Sequence, residues 1–506
     1  CDCLEAATDA VSRNYNPTKV FADVLQIPAG SVGPDSHFVD TLGGDSLQIM
    51  SVTIKLEEMY GVIIPDDEYV NCATPATAAD MILRLRGGQS DRTATPVERT
   101  PVVDFTESAE YKSFEKRREA LLADGNDPYF VQHSSALRDT CVIDGREYID
   151  FGNYNYAGMS GRPEVSQAAK DAIDQYGTSA SGSRLLAGEK PVHGELERAI
   201  AEWKHTEAAI VCVGGHSTNV TFVGNFCGRN DLILYDALAH NSVAQGCRLS
   251  SAVTKPFPHN DTAALEAMLQ RERRFFEKVL IAIEGVYSMD GDIAPVPEFV
   301  RIKKQYGCFL MVDEAHSACV LGPTGAGVDE YFNLEGTDID IKMGTLSKGL
   351  GTCGGYIAGR KELIQYLKYN LPGFVFSVGI SPALAAASLE AIRLLKEDKS
   401  IMQRMARNIE CFATEARRRN LNICMGGKSA ILPVLVGRDE DAVRLSNEMQ
   451  KRGVCVPPAV YPAVPVNRAR LRFDVTSEHK PEQITYALDS LVKAAQDLGI
   501  SLPPAE

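Results

Sequence analysis

The sequence lacks an excess of positive charge, and it lacks long apolar runs. Its 506 residues include 52 Lys and Arg against 67 Asp and Glu, a net charge of −15. Because a nucleic-acid-binding surface needs clustered Lys and Arg, we expect no nucleic-acid partner. No apolar run approaches the ~18–20 residues of a spanning helix, and the N-terminus has no signal-peptide pattern. We therefore expect no membrane span.

The sequence also lacks the cysteine spacings of a disulfide framework or a metal cluster. Its 13 cysteines are odd in number and scattered through apolar runs, which indicates reduced thiols and a cytoplasmic location. Cys1 and Cys3 flank an aspartate, but no matching Cys/His cluster follows, so we expect no metal. Since the chain does not begin with methionine, we expect that it is trimmed or cut from a longer polypeptide.

Length and composition are those of an ordinary globular protein. The chain is long enough for about three domains, and its residues are 44% hydrophobic and 24% charged. No internal repeat or low-complexity block interrupts it. These properties fit many functions, so the motifs must decide between them.

Polar residues follow two strand-like apolar runs near the middle of the chain. The run 308–312 ends at Asp313, and the run 339–343 leads into a loop that carries Lys348, 35 positions later (348 − 313). In open α/β sheets ligands bind beyond the carboxyl ends of the strands. A lysine can attach to the aldehyde of pyridoxal 5′-phosphate (PLP), and an aspartate can keep its pyridine nitrogen protonated. This pair therefore indicates a PLP site.

Further polar residues follow other apolar runs that alternate with helical stretches. Gly215 and His216 follow the run 209–213, where glycines opening a helix suit a phosphate. His240, Glu284 and Ser288 follow later runs in the same way. This alternation is typical of a mostly parallel sheet covered by helices.

The words DEAHS (313–317) and TLSKGLGTCGGYIAG (345–359) closely resemble the α-oxoamine synthases. These PLP enzymes include serine palmitoyltransferase and 5-aminolevulinate synthase. The resemblance covers roughly residues 105–500. It implies a PLP fold-type I α/β domain, with a mostly parallel sheet, followed by a smaller α+β C-terminal domain.

The resemblance also implies roles for individual residues. His240 would stack on the pyridine ring, His316 would contact the ring hydroxyl and orient the acyl carbonyl, and Asn155 would lie near the substrate carboxylate. Arg472, which alternates with Leu471 and Phe473 in a predicted strand, would anchor that carboxylate through its planar fork. The other residues that match cofactor-binding positions are Gly215, His216, Glu284, Ser288, Asp313, Thr345, Lys348 and Ser377. Because Ser377 would reach the phosphate of a neighbouring subunit, the resemblance implies a homodimer with shared active sites.

A second resemblance covers residues 8–86, a small acidic helical unit. The word LGGDSL (42–47) is similar to the attachment motif of acyl and peptidyl carrier proteins, which form four-helix domains. The resemblance implies that Ser46 carries a 4′-phosphopantetheine arm, added by a phosphopantetheinyl transferase. A serine at the start of a helix suits this role, because the helix N-terminus favours a phosphate. A second helix is predicted to begin near Thr74 and Pro75.

Composition divides the chain into five predicted parts, an α+β multidomain arrangement. Residues 87–104 mix Gly, Pro, Ser, Thr and charge without apolar periodicity, so they are predicted to be a linker of roughly 20–25 Å. The parts are a carrier domain (1–86), the linker (87–104), an N-terminal arm (105–160), a PLP-binding large domain (161–375) and a C-terminal small domain (376–506).

Together the two resemblances imply a reaction. An amino acid would condense with an acyl thioester held on Ser46, losing CO2 to give an α-amino ketone, and upstream polyketide synthase modules are candidate partners. Three alternatives stay open: the synthase uses acyl-CoA while the carrier serves another enzyme, the protein is a PLP aminotransferase, or it presents cargo beside an inactive synthase.

Overall fold

The structure is a computed structural model that describes residues 17–25, 27–36, 38, 52–53, 55–57, 59–62, 64, 74–85, 102–122 and 127–505. The chain divides into two compact units, Cys1–Ser113 and Phe114–Glu506. No helix in these described ranges combines the length and the apolarity needed to cross a bilayer.

The first unit is helical where it is described. Helix α1 spans Pro17–Leu25 and α2 spans Pro75–Leu85, so the start predicted near Thr74 and Pro75 is confirmed. Its buried apolar side chains form one small core, in which the rings of Phe21 and Phe38 meet edge to face at 5.4 Å. A short 3-10 turn, Ala29–Ser31, follows α1.

The second unit begins within α3 (Ala109–Leu122) and contains thirteen further described helices. These are α4 (Pro163–Tyr176), α5 (Pro191–Trp203), α6 (Gly215–Phe226), α7 (Asn241–Leu249), α8 (Thr262–Glu272), α9 (Val296–Tyr306), α10 (Val328–Phe332), α11 (Lys361–Asn370), α12 (Pro372–Val375), α13 (Pro382–Glu397), α14 (Ser400–Arg418), α15 (Asp439–Lys451) and α16 (Pro481–Leu498). Many begin with proline in the first turn, where its missing N–H costs nothing.

Its strands form three sheets. They are β1 (Thr140–Ile143), β2 (Arg146–Asp150), β3 (Ala208–Cys212), β4 (Leu232–Asp236), β5 (Val253–Phe257), β6 (Val279–Glu284), β7 (Phe309–Asp313), β8 (Ile341–Thr345), β9 (Gly355–Gly359), β10 (Ile431–Gly437), β11 (Val454–Cys455), β12 (Pro458–Ala459) and β13 (Ala469–Asp474).

The large sheet has the order β3-β9-β8-β7-β6-β4-β5. Only β9 is antiparallel to its neighbours, so the mostly parallel sheet is confirmed. The central strands are mainly apolar because helices cover both faces of such a sheet, and their buried side chains form two large cores. Their carboxyl ends therefore share one edge.

Two small three-stranded sheets, β1-β2-β11 and β10-β13-β12, accompany the C-terminal helices. The dipeptide Asp144-Gly145 predicts a tight hairpin turn, and the structure confirms it between β1 and β2. Both residues have positive φ (49° and 75°), as such a turn requires. Strand β11 joins β2 in parallel, so a C-terminal segment completes a sheet begun far upstream.

One local expectation needs correction. The sequence of residues 105–122 predicts an amphipathic helix, but the segment begins as a 3-10 turn, Phe105–Glu107, and most side chains of α3 are exposed, so it is not amphipathic. The sequence also predicts a long helical section over about 381–420, which is confirmed as two helices, because α13 ends at Glu397 before a break at Asp398.

Burial in β7 predicts its contribution to stability. Leu310 is fully buried in the largest core, so Leu310→Ala should lower the free energy of unfolding of the second unit by about 2–5 kcal/mol. Leu249→Ala removes the same atoms from a side chain that is 69% exposed and should change it by less than about 0.5 kcal/mol. Denaturant unfolding of both variants checks this, and equal shifts would contradict the burial assignment.

Candidate active site

Asp313 and Lys348 meet at the carboxyl edge of the large sheet. Asp313 is the last residue of β7, and Lys348 follows the end of the neighbouring parallel strand β8 by three residues. Asp313 therefore lies on one strand and Lys348 just beyond its neighbour, and the register of the two strands is fixed. The sequence-based expectation that they converge is consistent with this arrangement.

The Asp313 carboxylate is buried and held by two donors. Asn219, on the second turn of α6, donates from Nδ2 to Oδ2 at 2.6 Å, and the backbone N–H of Ala315 donates to Oδ1 at 2.9 Å. The same Asn219 nitrogen also contacts Ser242 Oγ at 3.0 Å. Asp313 is thus a fixed, oriented acceptor.

Glu284 and His240 lie next to this carboxylate. Glu284 ends β6 directly opposite Asp313, and burial together with the Asp313 charge raises the pKa of Glu284 well above its ordinary value. It accepts a hydrogen bond from the backbone N–H of His240. His240 is exposed as a residue, but its imidazole is partly desolvated, which lowers its pKa, and its Nδ1 lies 2.7 Å from Ser242 Oγ. The lowered pKa favours the neutral ring.

Lys348 is bound to His316, which is bound in turn to Tyr156. Lys348 Nζ lies 2.7 Å from His316 Nε2, and the Tyr156 hydroxyl lies 2.8 Å from Nδ1. Burial, then the nearby Lys348 and Arg472, lower the pKa of His316 well below its usual range. Burial also lowers the pKa of Lys348 to about 8, against the pull of Asp313. A neutral, nucleophilic amine is accordingly accessible near neutral pH.

Arg472 lies near Lys348, beside the ring of Tyr154. Its Nη1 contacts Asp474 Oδ2 at 2.5 Å, its Nε donates to the Ser288 carbonyl at 2.7 Å, and its guanidinium lies 5.0 Å from the Tyr154 ring centre. Lys348 Nζ lies 5.8 Å from the same ring. The lysine and the arginine therefore both lie next to the Tyr154 ring.

The Asn155 amide makes its hydrogen bonds to backbone groups. Its Nδ2 donates to the carbonyls of Leu137 (2.9 Å) and Ser160 (3.2 Å), and its Oδ1 accepts from the Ser160 N–H at 3.0 Å. These bonds occupy the amide and support the loop that carries Tyr154 and Tyr156. That Asn155 lies near a substrate carboxylate stays a prediction.

A close backbone approach marks the start of α6. A Cβ added at Gly215 would lie 2.8 Å from Thr345 Oγ1, and one added at Gly355 would lie 2.5 Å from Thr218 Oγ1. Only glycine fits there. The exposed His216 ring stands 6.0 Å from that of His240. Free N–H groups at this helix start, with Thr345, make an anion cradle.

Three predicted residues remain to be placed relative to this site: Ser288, Ser377 and Ser46. Ser288 contributes its carbonyl to Arg472, as given above. Ser377 follows α12 between the exposed Phe376 and Val378, and no bond joins it to the residues above within the described part of the chain. Ser46 lies outside the described residues.

Two buried ion pairs lie beneath the site. Lys204 pairs with Glu314, which directly follows Asp313, and Lys342 Nζ on β8 contacts Asp329 Oδ2 at 2.6 Å. All four side chains are buried. Since an unpaired charge is costly in such a place, these pairs fix the strands that present Asp313 and Lys348.

Sequence reasoning missed Tyr154, Tyr156, Asn219 and Asp474. Asp474 had a signal, because it continues the alternation of Arg470 and Arg472 along one strand face. Asn219 lies one helical turn from Gly215. Tyr154 and Tyr156 flank Asn155 in the sequence.

Two families match this chain. Residues 146–491 match the aminotransferase class I and II family, and residues 18–82 match the phosphopantetheine attachment site family. The first match covers most of the large unit, including each of the strands that carry the site.

Curated relatives and solved structures narrow the assignment. The 8-amino-7-oxononanoate synthases of Thermoanaerobacter pseudethanolicus and Geobacter sulfurreducens are both 37% identical, over 71% of this chain and 90% and 92% of theirs. Sphingomonas wittichii serine palmitoyltransferase has a TM-score of 0.74 at 33% identity, over 79% of this chain and 100% of that one. The S. paucimobilis enzyme, solved with PLP and myriocin, has a TM-score of 0.75 at 30% identity, covering 78% and 99%.

The fold and the site thus define a PLP-dependent enzyme of fold type I, joined to a phosphopantetheine carrier unit. Within that class the chain belongs to the α-oxoamine synthases, which are C-acyltransferases. Its cofactors are PLP and 4′-phosphopantetheine. The aminotransferase alternative loses its support, since the relatives named above are synthases of this type.

The residues present fit PLP. Asp313 is an oriented carboxylate for a pyridine nitrogen, the glycine cradle at Gly215 leaves room that a Cβ would fill, and Lys348 offers an amine of lowered pKa. The buried Asn219 Oδ1 has no hydrogen-bond partner among the described residues and remains an available acceptor beside Asp313. PLP when bound supplies an electron sink for carbanion chemistry.

The lowered pKa predicts how PLP attachment depends on pH. Only a neutral amine adds to an aldehyde, so the attachment rate in cofactor-free protein should rise with pH up to about 8 and then level off. At the ordinary value of 10.5 it would still be rising near pH 10. Rapid-mixing absorbance measures the rate, and borohydride trapping with peptide mapping locates the label.

Two variants make the test specific. Lys348→Ala should abolish trapping, and Lys361→Ala, at an exposed lysine, should leave it unchanged. A label on another lysine, or a midpoint near 10, would contradict the assignment.

Proposed function

We propose that this enzyme condenses an amino acid with an acyl thioester carried on its own Ser46 phosphopantetheine arm. The α-carbon of the amino acid bonds to the acyl carbon, the thioester C–S bond breaks to leave the carrier thiol, and the carboxyl group leaves as CO2. The product is an α-amino ketone. The observation that carries this proposal is the fusion of a carrier match and a synthase match in one chain.

The amino acid is proposed to bind between Arg472 and Lys348. Both cationic side chains lie close to the Tyr154 ring, and the Arg472 fork suits a carboxylate. Asp474 and the Ser288 carbonyl hold that fork through Nη1 and Nε, which fixes its plane. A carboxylate at Arg472 would leave the α-carbon directed towards Lys348.

Lys348 is proposed to move the α-proton. Its Nζ has a pKa near 8, close to the operating range that general-base catalysis favours. His316 is neutral and contacts Nζ through Nε2, so it can hold the lysine in position or orient an acyl carbonyl. Asp313, His240, Gly215, His216, Thr345 and Ser377 would hold PLP, and Glu284 would support His240.

Tethering would make acyl delivery effectively intramolecular. A short flexible linker gives an effective concentration in the ~mM range, so a carrier joined by residues 87–104 would saturate the site without free substrate. We also propose that the chain has the five parts predicted from its composition and that upstream polyketide synthase modules are partners. An acyl-CoA-dependent synthase whose carrier serves another enzyme is the competing proposal.

A homodimer is supported by exposed apolar residues around Ser377. Phe376 and Leu186 are 88% and 86% exposed. The loops that carry them are joined by a hydrogen bond from Gly379 N to Gly182 O of 3.0 Å. Exposed apolar patches of this kind mark association surfaces. We propose that this surface pairs with a second copy and places Ser377 at the neighbouring site.

Tethered condensation makes a direct prediction. Holo-protein acylated on Ser46 should consume its acyl group on addition of the correct amino acid, with a change in cofactor absorbance and loss of the acyl mass. Because the reaction is intramolecular, its rate constant should not change on tenfold dilution. An amino-acid panel, read by absorbance and intact mass, also names the substrate.

The controls separate carrier from catalysis. Ser46→Ala cannot be loaded and should lose acyl transfer but keep the absorbance change on amino-acid binding. Ser31→Ala, at a serine whose hydroxyl donates to the Pro28 carbonyl in the same turn, should load and react normally. If free acyl-CoA drives the reaction while the loaded carrier stays acylated, the competing proposal is correct.

Shared sites predict complementation. Lys348→Ala and Ser377→Glu should each be inactive alone, the second because a carboxylate repels the phosphate. Mixed and reassociated, half of the dimers should be heterodimers with one intact site each, restoring about a quarter of the sites. No recovery, in a mixture that mass spectrometry shows to be heterodimeric, would place Ser377 in its own subunit's site.

A further inference from the structure

A cluster of metal-binding side chains lies at the sheet β1-β2-β11, outside the residues used above. One ligand atom from each of His133, Cys141 and Asp150 lies within 4.8 Å of the other two. Cys141 and Asp150 are buried, and His133 is the most accessible of the three. The three come from an irregular segment and from two paired strands.

Strand register brings a fourth donor to this face. Cys455 on β11 is the partner of Asp150, and Cys141 on β1 is the partner of Tyr148. Because side chains two apart share a face, Cys141, Tyr148, Asp150 and Cys455 all project to one side. The Cys455 thiol is a hydrogen-bond partner of the Cys141 thiol.

Strands β1 and β11 lie on opposite sides of β2. An ion that bound both thiols would therefore join the two outer strands of this sheet across the middle one.

The donor set is that of zinc. Two thiolates, an imidazole and a carboxylate are its usual ligands, and four protein ligands make a closed, structural site. At zinc bond lengths of about 2.0–2.3 Å, tetrahedral ligand atoms lie roughly 3.3–3.8 Å apart. The separations among the ligand atoms of His133, Cys141 and Asp150, within 4.8 Å, therefore require only a small contraction. Cys455 lies outside that group, so its thiol would have to turn towards the ion.

Asp150 is already oriented by outer partners. The Gly152 N–H donates to Oδ1 at 2.8 Å and Asn153 Nδ2 to Oδ2 at 3.0 Å, which leaves lone pairs on both oxygens free for a cation. Such outer hydrogen bonds commonly orient metal ligands. Asn153 Oδ1 also accepts from the Asn155 N–H at 2.9 Å.

We propose that His133, Cys141, Asp150 and Cys455 bind a zinc ion that fastens the N-terminal hairpin to the C-terminal strand β11. Binding forms four metal–ligand bonds and releases the two thiol protons to water. Through Asn153 and Asn155 the ion would stiffen the turn that carries Tyr154 and Tyr156. Our expectation of no metal rested on local cysteine spacing, whereas these ligands are spread from 133 to 455.

Metal binding itself is the test, independent of activity. The purified holoenzyme is incubated with zinc, dialysed and assayed for bound metal. Cobalt is then substituted, and its ligand-field bands are read in the red, where PLP does not absorb. We expect one bound ion per chain, tetrahedral cobalt bands, and an unfolding temperature that rises with added zinc.

Variants assign the ion to these residues. Cys141→Ser and His133→Ala should lose the ion and the zinc-dependent rise in unfolding temperature, and Asn153→Ala should weaken binding by roughly 10–100-fold. Cys424→Ser, at a half-buried cysteine outside this sheet, should behave as the parent protein. His133 is more accessible than Cys141, so its variant keeps the test valid if Cys141→Ser fails to fold.

Three outcomes would overturn the proposal. These are no retained zinc, cobalt bands that persist unchanged in folded His133→Ala, and a mass two hydrogens lower that maps to a Cys141–Cys455 disulfide. Zinc that is lost equally from Cys424→Ser would also place it elsewhere.

Discussion

The active site depends on the parallel pairing of β7 with β8. That pairing puts Asp313 at one strand end and Lys348 just beyond the next, on a sheet whose central strands are buried on both faces. Every other contact of the site is arranged around this pair: α6 brings Asn219 to the carboxylate, and the DEAHS turn brings His316 to the amine. The geometry is precise because strands, not loops, set the spacing.

Burial sets the protonation state of the titratable groups around this pair. Glu284 and Asp313 are neighbouring carboxyl groups, and burial beside Asp313 is what raises the pKa of Glu284. His240 and His316 are kept neutral by burial, and Lys348 is eased towards its free amine by the same cause. Low polarity, more than any single partner, therefore prepares this site for chemistry at an amine.

Sequence reasoning recovered what is local and periodic. The apolar runs 209–213, 308–312 and 339–343 predicted β3, β7 and β8 to within about two residues, and the strand-end rule selected Asp313 and Lys348. It missed β5, where Pro256 interrupts the pattern on an edge strand, and β9, whose ends are glycine. It also missed Tyr156 and Asp474, since their bonds join residues 160 and 318 positions apart. Pairings at such distances follow from the fold and leave no local signal.

The two buried ion pairs beneath the site have a consequence for how this enzyme can change over time. Lys204, Glu314, Lys342 and Asp329 neutralise one another in a region closed to water. Replacing one residue of a pair leaves the charge of the other residue buried without a partner, at a cost of about 3–5 kcal/mol. Replacing both residues of a pair by apolar residues is tolerable. These four positions are therefore inherited as two linked couples, and a lineage can leave this arrangement only by replacing both members of a couple together.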